Sequence, residues 1–335
     1  MDFRQLEYFI SIVEEGSLSG AAQKLYITQP TLSQFLIRLE QEEKTPLMKR
    51  GRNNSLMLTE AGRLYYKSAK EILRIRTEYQ HQLSDLVAGT EKRLIFGVVA
   101  ERGMQLLMQI TKQLYEKYGG YENDHILTRQ ESAKTLQEMV ANCELDAAFS
   151  AYNTKNPRLA YIDFPPIELV MVLRKDHPMA RFGSEHPAEY LPRLPLKQLE
   201  NIPVATLHKL TVLRDGLDQY CEENDAHPTI RFEVHSVSNV FTIVDSGMAC
   251  GICTHSSHLT PNLLPNFAFI GLDPPLYYST AIYYNKNCYR TRFLQDFLNV
   301  AKDLVQEETE IRKKEVPLTM QPPENSEECC KTEGP

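Results

Sequence analysis

Over most of the first ninety residues, apolar positions recur every three or four residues. Leu6, Phe9, Ile10 and Val13 form one such stripe and predict a helix over residues 3–15. Leu18, Ala21, Ala22 and Leu25 form a second, shorter one that Ser17 is placed to cap. Leu32, Phe35, Leu36 and Leu39 form a third, with Thr28 as its cap and Pro30 in its first turn. The polar positions are as informative as the apolar ones. Gln29, Thr31, Ser33 and Gln34 stand on the exposed face at the start of the third helix. A short helix, a tight turn and a second helix that opens on amides and hydroxyls match the dimensions and donor–acceptor pattern of a DNA major groove.

The pattern then changes. Arg50, Gly51, Arg52, Asn53, Asn54 and Ser55 form a polar turn before Leu56, Met57 and Leu58, which predicts a β-hairpin beside the three helices. A long helix is expected from about 59 to 86. Tyr65, Ile72, Tyr79 and Leu86 recur every seven residues along it, with Ile75 and Leu83 between them. So long a stripe predicts a partner helix, most simply from a second copy of the chain. Packing on its own domain is the alternative.

From Arg93 the texture is that of an α/β domain. Leu94 to Val99 is a continuous apolar run, expected of a strand covered on both faces. An amphipathic helix (Leu106, Leu107, Ile110, Leu114), a strand near Ile126, a helix with Leu136, Met139 and Val140, and a strand at 147–149 complete a βαβαβ run. Further strands are expected at 169–173, 203–206, 230–235 and 248–254, in a parallel-rich arrangement with helices starting near Thr211 and Ser238. The end of the chain, from about Gln306, is rich in Glu, Lys and Pro and is expected to be a disordered tail.

Bulk properties narrow the function. The 335 residues carry 42% hydrophobic and 24% charged side chains and a net charge of −7, which excludes a protein that coats nucleic acid non-specifically. Residues 1–92 are nearly balanced at +1, so attraction for phosphate must come from local geometry; Lys44, Lys49, Arg50 and Arg52 cluster after the third helix. The N-terminus has no basic region followed by an apolar core, and no apolar run is long enough to span a bilayer. A cytoplasmic protein with no membrane partner is expected, its seven cysteines reduced.

No phosphate-binding loop, nucleophile elbow or H-E-x-x-H motif is present, so an enzyme is not expected, and neither is a cofactor or a metal. Cys250 and Cys253 form a C-x-x-C that would be redox-active in one reading and small core residues of a strand in the other. His255 and His258 extend it toward a zinc set, but no second thiol pair accompanies them. Cys329 and Cys330 fall in the tail.

Several strings in this order resemble the LysR-type transcriptional regulators. They are QLEYF at 5–9, EEGSLSGAAQKLYITQPTLSQ at 14–34, RLE at 38–40, PL at 46–47 and LTEAG at 58–62. Weaker echoes are ELDAAF at 144–149, KDHPMA at 175–180 and VDSGMACGI at 244–252. The resemblance implies an all-α winged helix-turn-helix DNA-binding domain at 1–58 and a linker and dimerisation helix at 59–90. An α/β two-lobed effector domain resembling periplasmic solute-binding proteins would follow at 91–303, with lobe I at 91–162 and 267–303 and lobe II at 163–266; the tail would be 304–335. The chain departs from the family pattern at Gly20 and Gln34, where a basic residue is common, and at Glu43, Lys44 and Thr45, where Leu-Gly-Val is usual.

The partners so implied are double-stranded promoter DNA, a small-molecule effector, a homodimer or homotetramer and, for an activator, RNA polymerase. Gln29, Pro30, Thr31, Ser33 and Gln34 would face the major groove, with Ser17 and Thr28 at the helix starts. Arg38 and Lys49 would position the backbone, and Arg50, Arg52 and Asn53 would reach phosphates or the minor groove from the wing. Effector contacts would come from Ala100, Glu101, Ser132, Ser150, Thr206, His208 and Thr211. An acid at 101 disfavours a simple anion unless Arg102, Arg129 or Lys209 compensates. Two other readings remain open: a small-molecule binder with no DNA role, and a redox-responsive regulator using Cys250 and Cys253.

Overall fold

In the computed structural model, which describes residues 2–50, 56–86, 92–119, 124–184, 191–209, 211–254 and 266–315, the three early stripes close on one another. Helix α1 (Phe3–Glu15) starts in a capping box: the Asp2 carboxylate accepts from the Arg4 amide while the Gln5 side chain accepts from the Asp2 amide. It ends at Gly16, whose φ of +61° is the left-handed conformation that glycine adopts at least cost. Helices α2 (Leu18–Lys24) and α3 (Gln29–Glu42) are capped by Ser17 and Thr28 as expected. Strands β1 (Met48–Arg50) and β2 (Leu56–Leu58) pair antiparallel as the wing. Leu6, Phe9, Ile12, Leu32, Leu36 and Leu39 fill the core between the helices.

Helix α4 (Glu60–Leu86) divides the heptad stripe in two. Tyr65 and Ala69 are buried in this same core, with the Tyr65 ring edge-on to Phe9 at 4.8 Å. Ile75, Tyr79, Leu83 and Leu86 are 54, 61, 44 and 82% exposed. Self-packing accounts for the first half of the stripe, and the second half is uncovered.

The chain divides into two units, the first built on Met1–Thr90 and the second on most of the remainder. In the second, β3 (Lys92–Val98), α5 (Glu101–Tyr118), β4 (Asp124–Gln130), α6 (Ala133–Ala141) and β5 (Ala147–Ala151) form the expected βαβαβ run, with β3 parallel to both β4 and β5. Next comes β6 (Leu159–Arg174), three times the length of the strand expected there. After it lie β7 (Arg193–Leu194), β8 (Pro203–Leu207), α7 (Val212–Glu223), β9 (Thr229–Val234), α8 (Val237–Asp245), β10 (Cys250–Thr254), β11 (Phe267–Leu272), β12 (Tyr277–Asn285) and α9 (Arg292–Glu315).

The strand order β4-β3-β5-β12-β6-β10-β8-β9, with β11 on β6, sets the expected parallel pairs on either side of antiparallel strands. Parallel pairing is confined to β3–β4–β5, to β8–β9–β10 and to the short β7–β11 pair, while β6 is antiparallel to β10, β11 and β12. The lobe boundaries also move. The first part of β6, through Glu168, pairs with β12 in lobe I, and the second part, from Leu169, pairs with β10 and β11 in lobe II. Residues 163–168 therefore sit with lobe I and 267–272 with lobe II, opposite to the division expected at 163 and 267. Just before β6 changes partners, Pro165 and Pro166 lie in the register shift between the Tyr278–Ile167 and Thr280–Phe164 pairs with β12, a bulge where missing amide donors cost little.

Helix α9 passes 303 and ends at Glu315, since Leu304 is buried and Val305 packs against the lobe I core. The tail beyond 315, with Cys329 and Cys330, lies outside the described residues, as do His255 and His258. Cys143 and Cys288 are each disulfide-bonded, contrary to the expectation of reduced thiols. No helix among the described residues is long and apolar enough to cross a membrane.

Candidate nucleic-acid interface and effector cleft

Helix α3 buries Leu32, Phe35, Leu36 and Leu39 and thereby turns its other face outward. Gln29, Pro30, Thr31, Gln34 and Arg38 are all exposed, and Ser33 is half-buried. The Thr28 hydroxyl accepts from the Thr31 amide and lies 2.8 Å from the Thr31 hydroxyl, which fixes the first turn while leaving the Gln29 amide projecting. Ser17 is spent on the Gly20 amide at 3.1 Å, so its role is to cap α2. Arg38 lies along its own helix, with Nε 3.4 Å from the Gln34 carbonyl, and has no ion-pair partner among the described residues. Lys49 is exposed on β1. Arg50 ends β1, its side chain undescribed, and Arg52 and Asn53 lie outside the described residues.

Two residues that the patterning did not single out belong to this face. The Glu40 carboxylate accepts from the Leu47 and Met48 amides at 2.7 and 2.9 Å, tying the end of α3 to the start of the wing. Tyr26, in the turn between α2 and α3, has φ +54° and is 97% exposed. Its ring stands almost wholly in water in the turn before α3. The signal for Glu40 was present in the RLE string; that for Tyr26 needed the backbone.

In the second unit, the ends of the parallel strands and the starts of the helices define a second set of groups. In open α/β sheets, ligands settle at the carboxyl ends of strands. On the lobe I side, Ala100 caps α5 without a side-chain hydrogen bond, Glu101 begins that helix, and Ser132 accepts from the Thr135 amide at the start of α6. On the lobe II side, Thr211 caps α7 and donates to the His208 carbonyl at 3.0 Å, and Ser236 caps α8. The His208 ring stacks on His235, centroids 4.9 Å apart. The Ser238 hydroxyl donates to Glu101 at 2.9 Å, joining the two lobes through side chains.

Two expected contacts are turned elsewhere. Ser150 is buried, donating to the Ala151 carbonyl and 3.1 Å from the Tyr283 hydroxyl. Thr206 is buried with its hydroxyl on the Ile252 carbonyl at 2.9 Å. Each lies on a strand interior to its sheet, where a hydroxyl must find a backbone acceptor. Beside them, buried Arg214 pairs with Asp218 and Glu233 at 2.7 and 3.1 Å, and its hydrogen bond holds the Glu233 carboxyl below the usual range.

Cys250 and Cys253 do not form a dithiol. Cys250 packs into the cluster with Leu169, Met171 and Ile252, and Cys253 into the one with Val170, Val172 and Phe241, on opposite faces of the sheet. Burial pushes their thiols up to about 11 and about 12, away from the thiolate that redox chemistry needs. No cluster of three or more metal-binding side chains is present among the described residues.

Comparison with known proteins matches both units. Residues 3–63 match the model of the bacterial regulatory helix-turn-helix protein, lysR family, and residues 88–306 that of the LysR substrate binding domain. The chain is 28% identical over 313 residues to a probable RuBisCO transcriptional regulator of Cyanidioschyzon merolae, covering 88% of this chain and 97% of that protein. It is 28% identical over 257 residues to the HTH-type transcriptional regulator BsdA of Bacillus subtilis, covering 75 and 83%. Among solved structures, full-length CbnR complexed with its target DNA superposes with a TM-score of 0.55 at 17% identity, covering 92% of this chain and 100% of that one.

Proposed function

The chain belongs to the LysR family of transcriptional regulators, and from that premise we propose that the exposed face of α3 reads promoter DNA while a small molecule in the interlobe cleft controls the outcome. The observation that carries the DNA reading is the exposure of Gln29, Thr31 and Gln34 on a helix whose opposite face is fully buried. Gln29 and Gln34 supply amides suited to adenine edges, and Arg38 and Lys49 supply phosphate contacts. Glu40 sets the distance between reading helix and wing.

The uncovered half of α4, with Ile75, Tyr79, Leu83 and Leu86, supports pairing with a second copy of the chain. Effector contacts are assigned to Glu101, Ser132, His208 and Thr211, with Ala100 leaving space beside them. Ser150 and Thr206 then shape the sheet beneath the ligand. The opposite-facing, high-pKa thiols of Cys250 and Cys253 favour a core role for both over redox sensing.

The test is titration of the full chain against its own promoter fragment and a scrambled one across a salt series. Log K for both falls linearly with log salt, with a slope near −0.9 per phosphate contacted, and the promoter keeps an advantage at every salt concentration. Equal binding to both fragments overturns the reading.

A further inference from the structure

The Glu101–Ser238 contact joins side chains of the two lobes. Glu101 belongs to the first turn of α5 in lobe I, and Ser238 to the first turn of α8 in lobe II, so the bond at 2.9 Å spans the gap between lobes. Its polarity is fixed by its neighbours. The Ser236 oxygen accepts from the Asn239 amide at 3.2 Å and lies 2.9 Å from the Ser238 oxygen. A carboxylate only accepts, so Ser238 donates to Glu101, and its own oxygen is left to accept from the Ser236 hydroxyl. Protons run one way along the chain and end on the acid.

We propose that Glu101 sets the charge preference of the effector cleft, selecting ligands that bring a cationic hydrogen-bond donor such as an ammonium group. This rests on the reading of the cleft as the effector site. The Ser238 hydroxyl donates one hydrogen bond to the carboxylate. A neutral hydroxyl is a weaker partner for a carboxylate than an ammonium, which adds the coulombic attraction of opposite charges to the hydrogen bond. An ammonium therefore displaces Ser238 and leaves no charge unpaired, whereas a carboxylate ligand meets Glu101 as a like charge. One further feature leaves room for such a ligand: the cap of α5 is Ala100, whose methyl group makes no hydrogen bond. The freed Ser238 hydroxyl stays within reach of Ser236, so breaking the bond strands no polar group.

The test uses the full chain and sets of amines, alcohols and carboxylates on matched carbon skeletons (benzyl, butyl and isobutyl), read by thermal unfolding and calorimetry at constant ionic strength. The parent is expected to be stabilised by an amine and not by its carboxylate partner. Glu101→Gln keeps an acceptor of the same shape and is expected to lose at least tenfold in affinity for that amine. Ser238→Ala removes the competing donor and is expected to bind the amine severalfold more tightly, a direction that a merely structural role for Ser238 would not produce. Unchanged amine affinity in Glu101→Gln, or weakened affinity in Ser238→Ala, overturns the proposal. A response to carboxylates that survives Glu101→Gln and disappears in Ser132→Ala overturns it while leaving the cleft reading intact. Absence of any response in the parent overturns both.

Discussion

At the scale of single residues, Gln29 carries the most information and His177 the most pH dependence. The Gln29 side chain projects from the first turn of α3 with no partner to lose, so truncation leaves the fold alone. Gln29→Ala is expected to lower promoter affinity by about 1–3 kcal/mol and to narrow the gap to random DNA, measured by paired titrations. His177 works in the opposite sense, through the fold. Its Nδ1 accepts from the Met179 amide at 3.2 Å, and burial holds its pKa below the ordinary 6.5. The unfolded chain takes the proton more readily than the folded one, so this contribution is complete above about 6.5 and is lost as the pH falls toward the folded pKa. The thermal midpoint of His177→Asn, which keeps an acceptor without the proton, is expected to fall less steeply than the parent's between pH 6.5 and 5. Exposed positions were legible wherever helix periodicity fixed the face, as for Gln29, Thr31 and Gln34. Burial was not legible for Ser150 and Thr206, because strand alternation gives two faces without saying which is covered.

Elements show the same division. The three N-terminal helices, with their caps, could be read directly, since local spacing decides them. The apolar run at 267–272 and the tyrosine-rich stretch at 277–285 went unread as strands, and only 169–173 of β6 was anticipated, because non-local pairing decides these segments. Close approach is another non-local property. A Cβ added to Gly62, in the first turn of α4, would lie 2.0 Å from the Leu47 carbonyl oxygen, and the Gly62 amide donates to Thr59 at 3.0 Å. Gly62→Ala is expected to destabilise the N-terminal unit by about 1–3 kcal/mol, measured by denaturant unfolding, with DNA affinity falling alongside as the wing shifts. On the far half of α4, Tyr79→Asp buries a charge only if a partner covers it. Sedimentation is expected to show this variant dissociating to smaller species at concentrations where the parent stays associated; unchanged sedimentation assigns that face to solvent.

At the scale of the whole molecule, charge is divided unevenly. The first 92 residues are close to neutral and the rest carries −8, so the DNA-reading part is presented to phosphate without strong long-range attraction of its own. Discrimination must then come from short-range groups on α3 and the wing. The second unit adds a mechanical constraint. One sixteen-residue strand, β6, serves as a structural member of both lobes, and it changes partners between Glu168 and Leu169, just past two consecutive prolines. It resembles a leaf spring clamped at each end and thinned in the middle: rigid along its length, where each half is bonded into a sheet, and compliant at 165–166, where no amide is available to stiffen it. The chain crosses between the lobes a second time at 273–276, between β11 and β12, so any movement of one lobe against the other must flex both places. How stiffly these two crossings bend sets how readily the lobes can move, and two prolines set part of that stiffness.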